Sequence, residues 1–268
     1  MIEMKRVKIS DIAKEAGVSC ATVSYVLNNN PKQKINDTTK KKILQIASLL
    51  GYTKNVYASA LASGKSNHIG IYIGDYDFPL FNAELFSFIK ELISSLKLNG
   101  YDAILLSNAY NQSVDFVDAI ICISLSEDDF RIICNNVLIP VIAVDTKAHE
   151  DWIFGVSTLY EHVKEQLSLD NYIFVTYKQQ SAFVNRKIQE NNSNTLLVSN
   201  YFQLNNLDKN FHDSKIVAGG NEIYNYMKAI GVDSIEYRVN NTIKINKIIE
   251  YLKFAIDRVK TDNHLFTL

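Results

Sequence analysis

Apolar residues in the first fifty positions recur at the spacing of three short helices. We predict N-caps at Ser10 and Ser19 for the first two helices, and a start at Asn36 or Asp37 for the third. Gly17 and Gly51 follow the first and third helices as C-terminal stop signals. The predicted inward positions are Ile9, Ile12, Ala13 and Ala16 in the first helix, Val23, Val26 and Leu27 in the second, and Ile43, Leu44, Ile46, Ala47 and Leu50 in the third.

After residue 68 the pattern changes to short apolar runs that alternate with helical segments. A helix after the first run carries Leu85, Ile89, Leu92, Ile93 and Leu96 at helical spacing. This alternation predicts doubly wound parallel sheets. The predicted strands cover residues 69–73, 103–106, 119–123, 141–144, 172–175, 196–198 and 215–218.

Residues 53–67 separate these two patterns and are mostly small and polar. They include the sequence Ser63-Gly64-Lys65-Ser66, which is typical of a linker. Residues 56–62 have the length of one or two helical turns, which are marginal alone because helix nucleation is costly. We therefore predict that this segment folds only against a partner.

The sign of the net charge also changes near this linker. Residues 1–66 carry eleven basic and four acidic side chains, a net charge of +7, whereas the remainder carries 17 basic and 25 acidic side chains, a net charge of −8. A basic domain attached to an acidic one is typical of a module that binds a polyanion, although a solvated basic surface would look the same on charge alone.

The other bulk features exclude several classes of protein. The three cysteines have unrelated spacings, so neither a disulfide framework nor a CxxC metal site is indicated, and we predict no metal or cofactor. No apolar run has transmembrane length and no signal pattern precedes the helices, so we predict a cytoplasmic protein with no membrane partner. HExxH, GxSxG and GxxxxGK[ST] are missing from the sequence, which argues against an enzyme.

The first two helices contain the motif that indicates function. A helix-turn-helix needs a small residue and a glycine between two short helices, so that the second helix projects into the major groove. Residues 9–28, ISDIAKEAGVSCATVSYVLN, meet this requirement and closely resemble the lac repressor (LacI/GalR) family pattern "DIA..AGVS.ATVS.VLN". The resemblance runs nearly unbroken over residues 7–107.

The resemblance implies roles for individual residues. It makes residues 19–28 the recognition helix and makes Leu61 a wedge between base pairs in the minor groove. Tyr25 stands where many family members have arginine, so guanine recognition there should be weaker. The implied base contacts are Cys20, Ala21 and Tyr25; the phosphate contacts are Ser19, Thr22, Ser24, Asn28, Lys34, Asn36 and Thr39; the hinge contacts are Asn55, Ala58 and Leu61. Because Cys20 places a thiol at a helix N-terminus, an alternative role for it is a redox sensor.

The second domain resembles the family less closely. Residues 75–81 are similar to the loop "D..NPFF", and residues 139–145 to a strand that leaves the first lobe. Three departures are the short connection of residues 108–118, a short second lobe near residues 146–238, and Asn221-Glu222 in place of an "ND" pair. The implied effector pocket comprises Asp75, Phe78, Phe81, Arg186 and Asn221, although Arg186 is equally well a surface helix residue.

These observations predict an all-α helix-turn-helix head and a two-lobed α/β core of the periplasmic-binding-protein type, with Rossmann-like parallel sheets. The expected domains are residues 1–54 for DNA binding, 55–67 for the hinge helix and linker, and 68–268 for effector binding and dimerisation. We expect a homodimeric transcriptional regulator, a repressor, which binds double-stranded, pseudo-palindromic operator DNA and responds to a small, sugar-like effector. The alternative is a DNA-binding regulator whose vestigial pocket does not respond to small molecules.

Overall fold

The structure is a computed structural model that describes residues 7–27, 34–52, 65–107, 114, 116–148, 152–207 and 214–268. The chain divides into two compact units, Met1–Gly64 and Lys65–Leu268, which we call the head and the core.

The head contains three described helices, α1 (Ile9–Ala16), α2 (Cys20–Leu27) and α3 (Asp37–Leu49). Each helix contributes one fully buried aliphatic side chain to their shared apolar centre, namely Ile12, Val23 and Ile43. Leu44 and Leu50 were predicted to face inward, and this was wrong, because both side chains are exposed. α3 offers only a narrow buried stripe, and the small cluster is filled by Ile43 and Ala47.

Local hydrogen bonds set where these helices begin. α1 begins at Ile9, so the predicted cap at Ser10 was wrong: the Asp11 carboxylate accepts the Lys8 backbone N–H at 2.8 Å and forms the cap instead. The Ser19 hydroxyl accepts the Thr22 backbone N–H at 3.1 Å, as an N-cap does. The Asn36 side chain caps α3 by accepting the Thr38 N–H at 2.9 Å.

The core contains two sheets in which every paired strand is parallel. The strands are β1 (His68–Ile73), β2 (Asp102–Leu105), β3 (Ala119–Ile123), β4 (Val141–Val144), β5 (Phe154–Ser157), β6 (Tyr172–Tyr177), β7 (Thr195–Val198), β8 (Lys215–Gly219), β9 (Ser234–Tyr237) and β10 (Leu265–Thr267). The first sheet has the order β10-β5-β4-β3-β1-β2 and the second has the order β7-β6-β8-β9.

Helices flank both sheets and define two lobes. They are α4 (Pro79–Leu98), α5 (Glu127–Asn136), α6 (Val163–Leu167), α7 (Ala182–Asn191), α8 (Tyr201–Asn205), α9 (Asn221–Ala229) and α10 (Asn241–Ile256). The N-lobe comprises the first sheet with α4, α5 and α10, and the C-lobe comprises the second sheet with α6 to α9. β5 pairs with β4, so residues 154–157, which were predicted to lie in the second lobe, belong to the first.

The two lobes share apolar packing. One buried cluster contains strand residues of both sheets, such as Ile71 of β1 and Val175 of β6, and α4 of the N-lobe packs against α9 of the C-lobe. Between β2 and β3 the described residues form no helix, and Leu106, Val114 and Val117 cover that face of the sheet beside Tyr72. The two lobes are therefore in direct contact with each other.

Candidate DNA-binding surface and inter-lobe cleft

The solvent-facing side of α2 carries the predicted base-contacting residues. Val23 and Val26 are buried against the other two helices. Cys20, Ala21 and Tyr25 are exposed, and their spacing places them together on the opposite side of the helix. The structure thus brings these three side chains onto one accessible surface.

The predicted phosphate contacts lie mainly at two helix starts. The hydroxyls of Ser19 and Thr22 are 2.9 Å apart at the start of α2, while Asn36 and Thr39 lie at the start of α3. Free backbone N–H groups at helix N-termini favour phosphate, so both positions suit contacts to a DNA backbone. Ser24 is half-buried within α2 and Lys34 is exposed just before α3. The remaining predicted DNA contacts, Asn28, Asn55, Ala58 and Leu61, lie outside the described residues.

A cleft of about 400 Å³ separates the polar faces of the two lobes. Aromatic rings and acidic groups dominate its walls, and Phe81 stacks on Tyr177 with ring centroids 4.6 Å apart. Acceptors and donors therefore converge on a partly apolar space, which is the general form of a small-molecule site. The polar and charged lining includes Glu84, Glu91, Asp145, Thr158, Gln179, Asn221, Glu222, Arg238 and Lys244.

A buried ion pair occupies one wall of the cleft. The Lys244 ammonium of α10 bonds the Asp145 carboxylate after β4, and the two side chains are 6% and 13% exposed. Lys244 also donates to the Thr158 hydroxyl at 2.8 Å, while the other Asp145 oxygen accepts the Thr158 backbone N–H at 2.7 Å. Each partner compensates the charge of the other, as buried ions require.

Glu84 of α4 lines the same cleft. Its carboxylate accepts the Glu222 backbone N–H at 2.9 Å at the start of α9. Burial raises the pKa of Glu84, and the backbone N–H groups of Glu222 and Asn221 partly oppose this shift. Burial also raises the pKa of Tyr160 and of Tyr177, so both hydroxyls remain neutral donors.

The structure places only two of the five predicted pocket residues on the wall of the cleft. Phe81 and Asn221 line the cleft. Phe78 is buried beside Tyr177 and Tyr201 of the C-lobe, with ring centroids at 6.1 and 5.2 Å, and Asp75 lies at the lobe junction, where its carbonyl accepts from Gln180. The Arg186 side chain is 64% exposed on α7, pairs with Glu190 at 3.7 Å, and does not line the cleft.

Sequence reasoning missed Glu84 and Lys244. Lys244 lies four residues before Ile248 and eight before Leu252, so it shares the buried face of α10. A lysine in phase with an apolar stripe therefore was a usable signal for a buried charge. Glu84 gave no comparable signal, because its partner is the backbone at the start of α9, nearly 140 residues further along the chain.

Two further classes of site are not found in the described part of the chain. None of its helices combines the length and the apolarity that a membrane crossing needs. Nor do its His, Cys, Asp and Glu side chains form a group of three or more that could hold a metal ion.

Comparison with known sequences decides what the head is. The family described as "Bacterial regulatory proteins, lacI family" matches residues 8–55, which contain α1, α2 and α3. Residues 8–55 form a lacI-family helix-turn-helix domain. This confirms the family and the helix-turn-helix that the motif predicted, and it applies to the head alone.

Curated relatives extend the similarity a short way beyond the lacI-family domain. Catabolite control protein A of Priestia megaterium is 42% identical over 103 residues, 38% of this chain and 29% of the relative. The maltose regulon regulatory protein MalI of Escherichia coli (strain K12) is 34% identical over 161 residues, 56% of this chain and 46% of the relative. The matched stretch thus spans less than half the length of either relative.

Solved structures establish the fold of the whole chain. A lac repressor bound to ONPG in the repressed state has a TM-score of 0.62 at 14% sequence identity, and the match covers 98% of this chain and 97% of that one. The transcriptional regulator CelR in complex with cellobiose has a TM-score of 0.54 at 14% identity, with the same coverage. The predicted fold, a lacI-family head with a two-lobed α/β core, is confirmed.

Proposed function

We propose that this protein is a sequence-specific DNA-binding transcriptional regulator, a repressor that binds a pseudo-palindromic operator as a homodimer. The observation that carries this function is the exposed surface of α2, where a lacI-family domain presents Cys20, Ala21 and Tyr25 together. Such a regulator acts in the cytoplasm, where its DNA is, and needs neither catalysis nor a cofactor.

The three side chains favour a particular kind of base sequence. Cys20 and Ala21 are short and mainly apolar, so they suit contacts with thymine methyl groups. Tyr25 lacks the forked donors with which arginine recognises guanine. We therefore expect an operator half-site with A·T pairs opposite α2.

The phosphate and minor-groove contacts complete the proposed interface. Hydroxyls and amides fix the register of the protein on the duplex, whereas the hinge supplies a wedge, Leu61, that unstacks a base step. The proposed backbone contacts are Ser19, Thr22, Ser24, Asn28, Lys34, Asn36 and Thr39, and the proposed hinge contacts are Asn55, Ala58 and Leu61.

The surface of the N-lobe supports a dimer. Phe86 and Ile93, seven residues apart on α4, are 70% and 43% exposed, and Leu105 is exposed on the edge strand β2. Large apolar side chains rarely cluster on a surface without a partner. A second copy of the chain is the partner that two operator half-sites, about 34–36 Å apart, require.

The cleft supports a small, sugar-like effector as the modulator of operator affinity. Its size and mixed aromatic and polar lining suit such a ligand. A specific observation favours the alternative, a regulator that ignores small molecules: Lys244, Asp145 and Glu84 already satisfy one another or the backbone. A thermal-shift screen with sugars and nucleobases separates the two, since a ligand raises the melting temperature by mass action.

Selection of bound duplexes from random DNA tests the proposed function. We expect enrichment of a palindromic motif and, after selection, binding that the variant Leu61→Ala weakens more for the enriched duplex than for random DNA. Absence of any enriched motif at moderate salt would contradict the function, and equal loss for both duplexes would contradict the wedge.

A further inference from the structure

Two glutamates of the N-lobe reach the starts of two C-lobe helices. Glu127 lies in the first turn of α5 and contacts the start of α7, whereas Glu84 lies on α4 and contacts the start of α9. The first N–H groups of a helix have no partner within the helix and carry its positive dipole end. A carboxylate supplied by the other lobe therefore joins the two lobes through charge-assisted hydrogen bonds.

The Glu127 contact uses both carboxylate oxygens. Oε1 accepts from the Ser181 hydroxyl at 2.8 Å and from the Phe183 N–H at 2.9 Å, and Oε2 accepts from the Ala182 N–H at 3.3 Å. Burial alone would raise the pKa of Glu127, but these hydrogen bonds outweigh it and lower the pKa below its ordinary value. The carboxylate form is therefore the one that the contact stabilises.

The Glu84 contact depends on a glycine. Oε2 accepts the Glu222 N–H at 2.9 Å and lies 3.4 Å from the Tyr177 hydroxyl. Gly220 precedes α9 at φ +151°, and a Cβ atom there would lie 3.3 Å from Glu84 Oε2 and 3.0 Å from the Tyr177 ring. The absence of a side chain at Gly220 lets Glu84 and Tyr177 approach the helix start.

A third polar contact also joins the lobes. The Tyr76 hydroxyl of the N-lobe accepts the Gln180 backbone N–H of the C-lobe at 3.0 Å and donates to the Ser124 carbonyl at 2.9 Å. Phe81 stacks on Tyr177 close by. Polar and aromatic contacts thus join the two lobes at several residues.

We propose that Glu84 and Glu127 form a latch that holds the two lobes together without any bound ligand. The two carboxylates bridge the lobes, as an effector does when it contacts both walls of a cleft. The latch itself is a property of the core; only its consequence, that operator affinity is set without an effector, rests on the proposed DNA binding and corresponds to the alternative in which the regulator ignores small molecules. A small molecule that enters the cleft has to compete with Glu84 for the start of α9.

Hydrogen–deuterium exchange of the full-length protein tests the latch, with each glutamate neutralised separately. In Glu84→Gln we expect amides at the start of α7 to exchange about fivefold faster or more, although their acceptor Glu127 is unchanged. In Glu127→Gln we expect the same at the start of α9. Asp128→Asn, in the first turn of α5, and Lys90→Gln, at an exposed position of α4 outside the cleft, are controls that should leave both helices unchanged.

The effect on the distant helix distinguishes a latch from two independent helix caps. If each substitution accelerated exchange only at its own helix, the latch would be overturned, and melting curves confirm that each variant is folded. Operator binding by the unsubstituted protein is measured in parallel. If the protein selects no DNA sequence, the proposed function is contradicted, whereas the exchange result still decides whether the latch exists.

Discussion

The head resembles known proteins in sequence, whereas the likeness that extends over the whole chain is one of fold. Residues 8–55 of the head match the lacI family, whereas a lac repressor structure that shares the fold over 98% of the chain is only 14% identical to it. Under the proposed function, positions on α2 present particular side chains to a duplex, so few substitutions would preserve that surface. Packed sheets tolerate many apolar exchanges of similar volume, so the core can diverge and keep its fold.

The contrast extends to the polar groups. In the head, Cys20, Ala21 and Tyr25 face solvent and lie on the surface that we propose binds DNA. In the cleft of the core, Lys244 and Glu84 are used within the chain itself. The side chains on α2 are thus exposed, whereas these two charged groups of the cleft already have partners within the core.

The largest effect that we expect from a single substitution is in the core. Lys244→Met leaves Asp145 buried and unpaired, which should lower the free energy of unfolding by about 3–5 kcal/mol. Urea denaturation measures this change in the free energy of unfolding of the core. Lys253→Met, an exposed position on the same helix, is the control and should change stability by less than about 0.5 kcal/mol. A similarly small change for Lys244→Met would show that the pair contributes little.

Ile43→Ala tests whether the head and the core unfold independently. Removal of a fully buried side chain from a small helical unit costs about 2–5 kcal/mol, enough to unfold the head and abolish DNA binding. Calorimetry should show the core transition unchanged. Its neighbour Leu44, 45% exposed, gives the control Leu44→Ala, which should bind DNA normally. Loss of the core transition in Ile43→Ala would mean that the regions fold as one.

Tyr25→Ala tests the proposed base contact. We expect a loss of about 1–3 kcal/mol in binding to the selected duplex and little change for random DNA. Fluorescence anisotropy at fixed salt measures both. Gln45→Ala, at an exposed position of α3, serves as the control for a general surface effect. An equal loss for both duplexes would assign Tyr25 to the DNA backbone.

The smallest expected effect is a pH dependence of opposite sign for the two latch residues. The pKa of Glu127 is lowered, so its contribution is present above about pH 4.5 and is lost as pH falls further. The pKa of Glu84 is raised, so its contribution decreases as pH rises above about 4.5. Unfolding free energies of Glu127→Gln and Glu84→Gln, relative to the unsubstituted protein, measure this between pH 3.5 and 7. Parallel profiles for the two variants would contradict it.

Sequence patterns predicted the structural features that depend on residues close together along the chain. The three head helices, their buried residues Ile12, Val23 and Ile43, and seven of the strands follow from local periodicity and capping. The missed strands are short and polar in part, and β10 is held by pairing with β5 more than a hundred residues earlier. Glu84 and Lys244 were missed for the same reason, because contacts across the fold determine their environment.

The most direct test compares two duplexes of equal composition, one selected from random DNA and one scrambled, in an anisotropy titration of the full-length protein at about 0.15 M salt. We expect the selected duplex to bind about a thousandfold more tightly or better, as specific sites do relative to non-specific DNA. Equal affinity for the two duplexes would contradict the proposed function.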